Sequence, residues 1–111
     1  MKIIKKIGAQ GDMIAFRVAK LPSTVTKADD LIVAHSETGH HHIAVGNATR
    51  YTTADPLVGF LVATGDVQIQ HLRTFDTHET LELRGEPEGE VVWEIRRQRE
   101  WSPEGWRKVE D

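Results

Sequence analysis

The chain has 111 residues, 14 Lys plus Arg against 17 Asp plus Glu for a formal charge of −3, and no cysteine. That length buries one core but not two enzymatic domains, so residues 1–111 read as a single domain. The absent cysteines exclude disulfides, thiolate metal sites and a cysteine nucleophile, and the acidic balance argues against general nucleic-acid binding.

No stretch reaches the roughly 18 apolar residues of a membrane span. The apolar part of MKIIKKIGAQGD is too short for a signal peptide, so the expected setting is cytoplasmic. Residues 1–7 place Ile3, Ile4 and Ile7 among lysines, as an exposed first strand with charged edge protection does. Gly8 and Gly11 do not make a phosphate loop, because no Gly-Lys-Ser/Thr follows. In DMIAFRVAKL, Ile14, Phe16 and Val18 alternate with Ala15 and Arg17, the period of a half-buried strand. Pro22 opens a polar loop, PSTVTKADD.

Residues 31–45, LIVAHSETGHHHIAV, carry most of the chemistry: two apolar runs flank a polar turn, and four of the six histidines fall within them. Ser36-Glu37-Thr38-Gly39 predicts a tight hairpin, with Gly at the left-handed position. A loop of two or four residues puts His35 on the same face as His40 and His42, while a three-residue loop puts His41 beside His35 instead. The opposite face carries Ile32, Ala34, His41, Ile43 and Val45, apolar enough to be core, so the pattern leaves open which face is inward. His-x-His on a strand aims two imidazoles the same way, and imidazole is the commonest side-chain metal ligand. The competing structural reading is a hairpin of surface histidines or a hydrogen-bonded core histidine.

Asn47 suggests a further turn, RYTT a short strand, and Asp55-Pro56 a break. LVGFLVA (57–63) is continuously apolar and predicts a strand buried on both faces, with Gly59 allowing a bulge or a close approach. In DVQIQHLR, Val67, Ile69 and His71 share one face, which suits either a ligand facing a barrel interior or a satisfied core histidine. His78 begins the strand of Leu81 and Leu83, but unbroken alternation points it away from them, so an inward His78 requires a kink. EVVWEIRRQREW alternates cleanly, with Val91, Trp93 and Ile95 on one face and Arg97 and Arg99 read as exposed strand-end charges. SPEGWRKVED, with Ser102 as a cap and Pro103 at a first helical position, suits a short helical turn or a clamp laid on the barrel by Trp106 and Val109. Short strands punctuated by Gly and Pro, with almost no helical period, predict an all-β fold: a small jelly-roll or cupin-like barrel or sandwich.

The stretches GDMIAFRVAKLP, SETGHHH, HETLEL and EVVWEIRRQREWSPEGWRKVED together resemble a family of small uncharacterised bacterial and phage or plasmid proteins. That family has a G-D start, a T-G-H-x-H segment and a closing Q-R-E-(aromatic)-(Ser/Thr)-P-E. The resemblance spans most of the chain and implies His40, His42 and His78 as shared histidines, without implying a reaction. His40-x-His42 with a distant third histidine also resembles cupins. Their first motif wants a Glu soon after the second histidine, which positions 43–50 lack, leaving Glu37 or Glu79 to supply a carboxylate.

Two functions follow. The first is a metal-dependent enzyme holding a divalent transition metal (Zn, Fe, Ni or Mn) on His40, His42 and His78, with His71 or His35 as fourth ligand. Glu37 or Glu79 would be the base, and Arg73, Arg97 or Arg99 would orient an anionic small-molecule substrate. Three protein ligands leave the open position that catalysis needs, and four close the site. The second is a non-catalytic binding or accessory protein acting through its surface on a protein partner, with Trp101 and Trp106 suited to a homodimer contact or to the core. His78-Glu79-Thr80 has the H-x-T form of some phosphodiesterases, but His35-Ser36-Glu37 does not supply the second copy they need. No G-x-S-x-G supports a serine hydrolase.

Overall fold

A computed structural model of the chain describes residues 1–34, 41–71, 78–97, 99–102 and 105–108, of which 78, 99–102 and 105–108 are described by their backbone. The described residues are all-β. Thirteen strands run in chain order among them: β1 Lys2–Ile4, β2 Ile7–Gln10, β3 Met13–Val18, β4 Thr26–Lys27, β5 Ile32–Ala34, β6 His42–Val45, β7 Ala48–Thr52, β8 Val58–Thr64, β9 Val67–His71, β10 His78–Leu83, β11 Glu90–Arg97, β12 Arg99–Ser102 and β13 Gly105–Lys108. No helix occurs among them, so none is long and apolar enough to cross a membrane.

The strands build a five-stranded sheet, β1-β10-β9-β6-β5, and a six-stranded sheet, β2-β3-β11-β8-β7-β4. Successive antiparallel hairpins alternate between them. β5–β6 and β9–β10 lie in the first sheet, β7–β8 in the second, and β11 enters between β3 and β8. The two-residue turns Gly46-Asn47 and Gly65-Asp66 carry the chain across from β6 to β7 and from β8 to β9. Gly46 and Gly65 take positive φ there, 143° and 79°, where a side chain would be strained. Among the described residues the two sheets do not close into a barrel, so of the barrel and sandwich alternatives the described chain is a two-sheet arrangement.

The core lies between the sheets. Ile4, Ala34, Ala44, Val67, Ile69, Leu81 and Leu83 come from the first, and Met13, Ala15, Leu61, Ala63, Val91, Trp93 and Ile95 from the second. The inward phases of β9 and β11 are those the alternation predicts, since burial follows Val67, Ile69, His71 and Val91, Trp93, Ile95. The 57–63 run forms β8 with Phe60, Leu61 and Ala63 buried. A side chain at Gly59 would stand 3.2 Å from the Tyr51 carbonyl, a close approach rather than a bulge.

Two expectations differ. In β3 the buried phase is Met13 and Ala15, which join the core between the sheets, while Ile14 and Phe16 stay half-buried. The closing segment is not a helical turn where it is described: β12 pairs antiparallel with β13, Trp101 opposite Trp106. No 3.6-residue apolar period follows position 102 to favour a helix.

Candidate functional site

The β5–β6 hairpin exists, pairing Ile32 with Ile43 and Ala34 with His42 through an irregular step. Its turn, with His35, Glu37 and His40, lies outside the described residues. On β6 the inward phase is that of His42, and the irregular step on β5 also turns Ala34, expected on the opposite face, inward against His42. His42 and Ala44 are buried, whereas Ile43 and Val45 are 43% and 48% exposed. The more hydrophobic phase therefore faces out, and His42 enters the core because it meets polar partners there.

Those partners come from the β2–β3 turn. Gln10 ends β2, Gly11 turns with φ 59°, and Asp12 precedes β3. Gln10 Nε2 donates to the carbonyls of Ile69 at 2.9 Å and Glu79 at 2.8 Å, so this second-sheet side chain straps β9 to β10. The strap sits where the β9–β10 register slips between His78 and Leu81. The same slip leaves the His78 backbone opposite His71.

Both amide hydrogens of Gln10 are donated to carbonyls, so its Oε1 must be the atom 2.9 Å from His42 Nδ1. Nδ1 therefore carries a proton and donates. The other ring nitrogen, Nε2, stands 3.3 Å from Asp12 Oδ1. Arg97 Nε donates to Asp12 Oδ2 at 3.0 Å and Nη2 at 2.5 Å, so one carboxylate oxygen serves the guanidinium and the other faces the imidazole. His71 stacks on His42 with ring centroids 3.8 Å apart and planes inclined by 25°. Asp12, His42 and His71 are at most 2% exposed, Gln10 3% and Arg97 9%. Buried polar groups are tolerated only when they satisfy one another, and here each hydrogen bond fixes the next.

The arrangement sets up a choice at Nε2. A neutral His42 with its proton on Nδ1 turns a lone pair toward a carboxylate oxygen, and two acceptors repel unless a proton or a cation lies between them. A proton there makes His42 an imidazolium within Arg97–Asp12–His42, and the stacked His71 ring then stays neutral because two charged rings at that spacing repel.

The sequence candidates fall as follows. His42 and His71 come together. His78 is brought opposite His71 by its backbone, and His35, His40, Glu37 and Arg73 lie outside the described residues. Glu79 contributes its peptide oxygen, while its carboxylate is 62% exposed and points to the Met1 nitrogen, 3.8 Å away, not to His42. Arg97 is a correction: it is buried, because it continues the inward phase of Val91, Trp93 and Ile95. Sequence reasoning missed Gln10 and Asp12. Among the described residues, no group of three or more His, Cys, Asp or Glu is close enough to hold a metal ion.

Residues 9–98 match the family model of a domain of unknown function, DUF8820. The chain belongs to this family. The matched span contains all five residues of the buried cluster, Gln10, Asp12, His42, His71 and Arg97. No curated protein and no solved structure matches the chain.

Proposed function

We propose that this DUF8820 protein binds one divalent transition metal ion through His42 Nε2 and Asp12 Oδ1, with further histidines completing the site. The observation that carries the reading is the hydrogen-bond order around His42. Gln10 holds the proton on Nδ1, so the Nε2 lone pair is turned toward Asp12 Oδ1, 3.3 Å away. Two ligands bonded at about 2.0–2.2 Å to one tetrahedral ion stand roughly 3.3–3.6 Å apart, whereas a charge-assisted N–H···O bond is about 2.7–2.9 Å. A metal-bound histidine ordinarily donates its second nitrogen to an oxygen, the role Gln10 Oε1 fills. Asp12 is the acidic ligand that the cupin comparison lacked after position 42, and Arg97 orients it. His71, stacked on His42, and His78, whose backbone lies opposite His71, are further candidate donors, with His40 and His35 adjoining in sequence. Such an ion would supply Lewis acidity, or an acidified water if a position stayed open.

One observation favours a second reading, in which the protein is a non-catalytic binding or accessory module. His42, His71 and Asp12 are sealed from solvent. A closed site has no room for substrate and serves the fold alone.

The test is elemental analysis of untagged protein purified without nickel resin or chelator, beside an isosteric Asp12→Asn variant and a His40→Ala, His42→Ala double variant. About one equivalent of metal is expected in the native protein and little in either variant. If the native protein holds none and titrated Zn or Fe binds no tighter than about 1 mM, the metal reading fails and His42 is the imidazolium of a buried ion network.

A further inference from the structure

A cavity of about 230 Å³ opens between edge strand β5 of the five-stranded sheet and the β7–β8–β11 side of the other. Ile32, Leu57, Val58 and Ile95 give it an apolar wall, and Arg97, whose guanidinium holds Asp12, is among the residues that line it. Drug-sized ligands occupy cavities upward of about 300 Å³, so this one suits a smaller molecule.

The charges sort by depth. Arg50 is engaged by Asp30, through Nε at 3.0 Å and Nη2 at 2.9 Å from Oδ1. Asp55, at the exposed rim, accepts from the Leu57 N–H at 2.9 Å through Oδ1. Arg97 spends Nε and Nη2 on one carboxylate oxygen, and Nη1 makes no hydrogen bond among the described residues. A guanidinium with two N–H donors in hand, nine-tenths buried at the edge of an apolar cavity, is a carboxylate receptor, because a carboxylate is the small group that gains most from a desolvated guanidinium.

We infer that this cavity binds a small carboxylate with a short branched apolar body, its oxygens on Arg97 Nη1 and its hydrocarbon against Ile32, Leu57, Val58 and Ile95. Arg97 then joins bound ligand to Asp12 and through it to His42, so occupancy would be felt at the buried imidazole whether or not that site holds a metal. The Asp55 carboxylate opposes an anion from the rim, where solvent screens it.

The probe is isovalerate, with isoamyl alcohol and isoamylammonium as shape-matched controls, followed by the Arg97 Nε–H resonance in ¹⁵N-resolved NMR. Saturable movement of that resonance with Kd at or below about 1 mM is expected for the acid alone. Ile32→Trp, which fills the cavity from an edge strand and leaves the Arg97–Asp12 pair intact, should weaken binding at least about tenfold. Asp55→Asn should tighten it roughly twofold. The inference is overturned if the acid produces no saturable shift, if the alcohol binds equally, or if Ile32→Trp binds as well as wild type. A response present in metal-loaded and absent in metal-stripped protein would put the carboxylate on an ion rather than on Arg97 and overturn it too. Equal binding by stripped protein upholds it, even where the metal reading fails.

Discussion

The two ends of the inter-sheet core are built by the same strands in opposite chemistry. At one end β9 contributes Val67 and Ile69, β11 contributes Val91, Trp93 and Ile95, β3 contributes Ala15, and β6 contributes Ala44. One step further along the same inward phase these strands, with the β2–β3 turn, present His71, Arg97, Asp12 with Gln10, and His42. The backbone alternation does not change, so the strand geometry cannot tell the ends apart. The energetics can: apolar burial is non-directional and forgiving of repacking, whereas a buried carboxylate or imidazole is stable only against particular partners. The apolar end holds the sheets together, and the polar end dictates how they are aligned.

The hardest way to break that contrast is Arg97→Met, which removes the guanidinium and leaves the Asp12 carboxylate buried. We expect a loss of about 3–5 kcal/mol in urea denaturation. Leu83→Ala, a cavity at the apolar end, should cost about 2–5 kcal/mol. The ends separate on rescue. Adding Asp12→Leu to Arg97→Met should restore most of the lost stability, because the damage lies in the orphaned charge, while no single neighbour rescues the cavity. If Arg97→Met costs less than about 1 kcal/mol, the buried pair is not holding this end and the contrast fails.

A finer cut is Gln10→Leu. It leaves the Ile69 and Glu79 carbonyls without this donor and removes the acceptor that holds the His42 proton on Nδ1. The expected cost is about 1–3 kcal/mol. More telling, long-range ¹H–¹⁵N imidazole spectra should show His42 leaving the Nδ1–H tautomer. An unchanged tautomer would mean that Gln10 straps the β9–β10 slip without governing the imidazole.

The apolar end was legible in the sequence and the polar end only in part, for one reason. Period-two alternation in VQIQH and EVVWEI names the inward phase wherever apolar residues mark it, and it extended correctly to His71. The same rule applied through Arg97 would have placed it inside, but a charged residue at a strand end is by default exposed, and nothing local announces that Asp12, 85 positions away, neutralises it. In HIAV the rule left the inward phase open, because the larger apolar residues, Ile43 and Val45, stand on the face opposite His42 and Ala44. Only the partners Gln10 and Asp12 explain why His42 is the buried phase. Gln10 lies in a four-residue strand, IGAQ, whose one large apolar residue, Ile7, is 65% exposed and marks the opposite phase, so the apolar pattern gave no signal for its inward position.

The smallest expected effect tests the face that this inversion leaves in solvent. Ile43 and Val45 are 43% and 48% exposed on β6, and Ile3, 48% exposed, lies on the outer strand β1 of the same sheet. Threonine keeps the branched β-carbon that a strand favours while trading an apolar for a polar surface. In a monomer, Ile43→Thr and Val45→Thr should therefore each change stability by no more than about 0.5 kcal/mol in urea. If instead the pair lowers stability by more than about 1 kcal/mol and the loss depends on protein concentration, this face is covered by a second copy in solution. Both sides of β6 would then be packed, one against the core and one against a neighbouring molecule, and the apolar residues turned outward would have their own physical reason for being there.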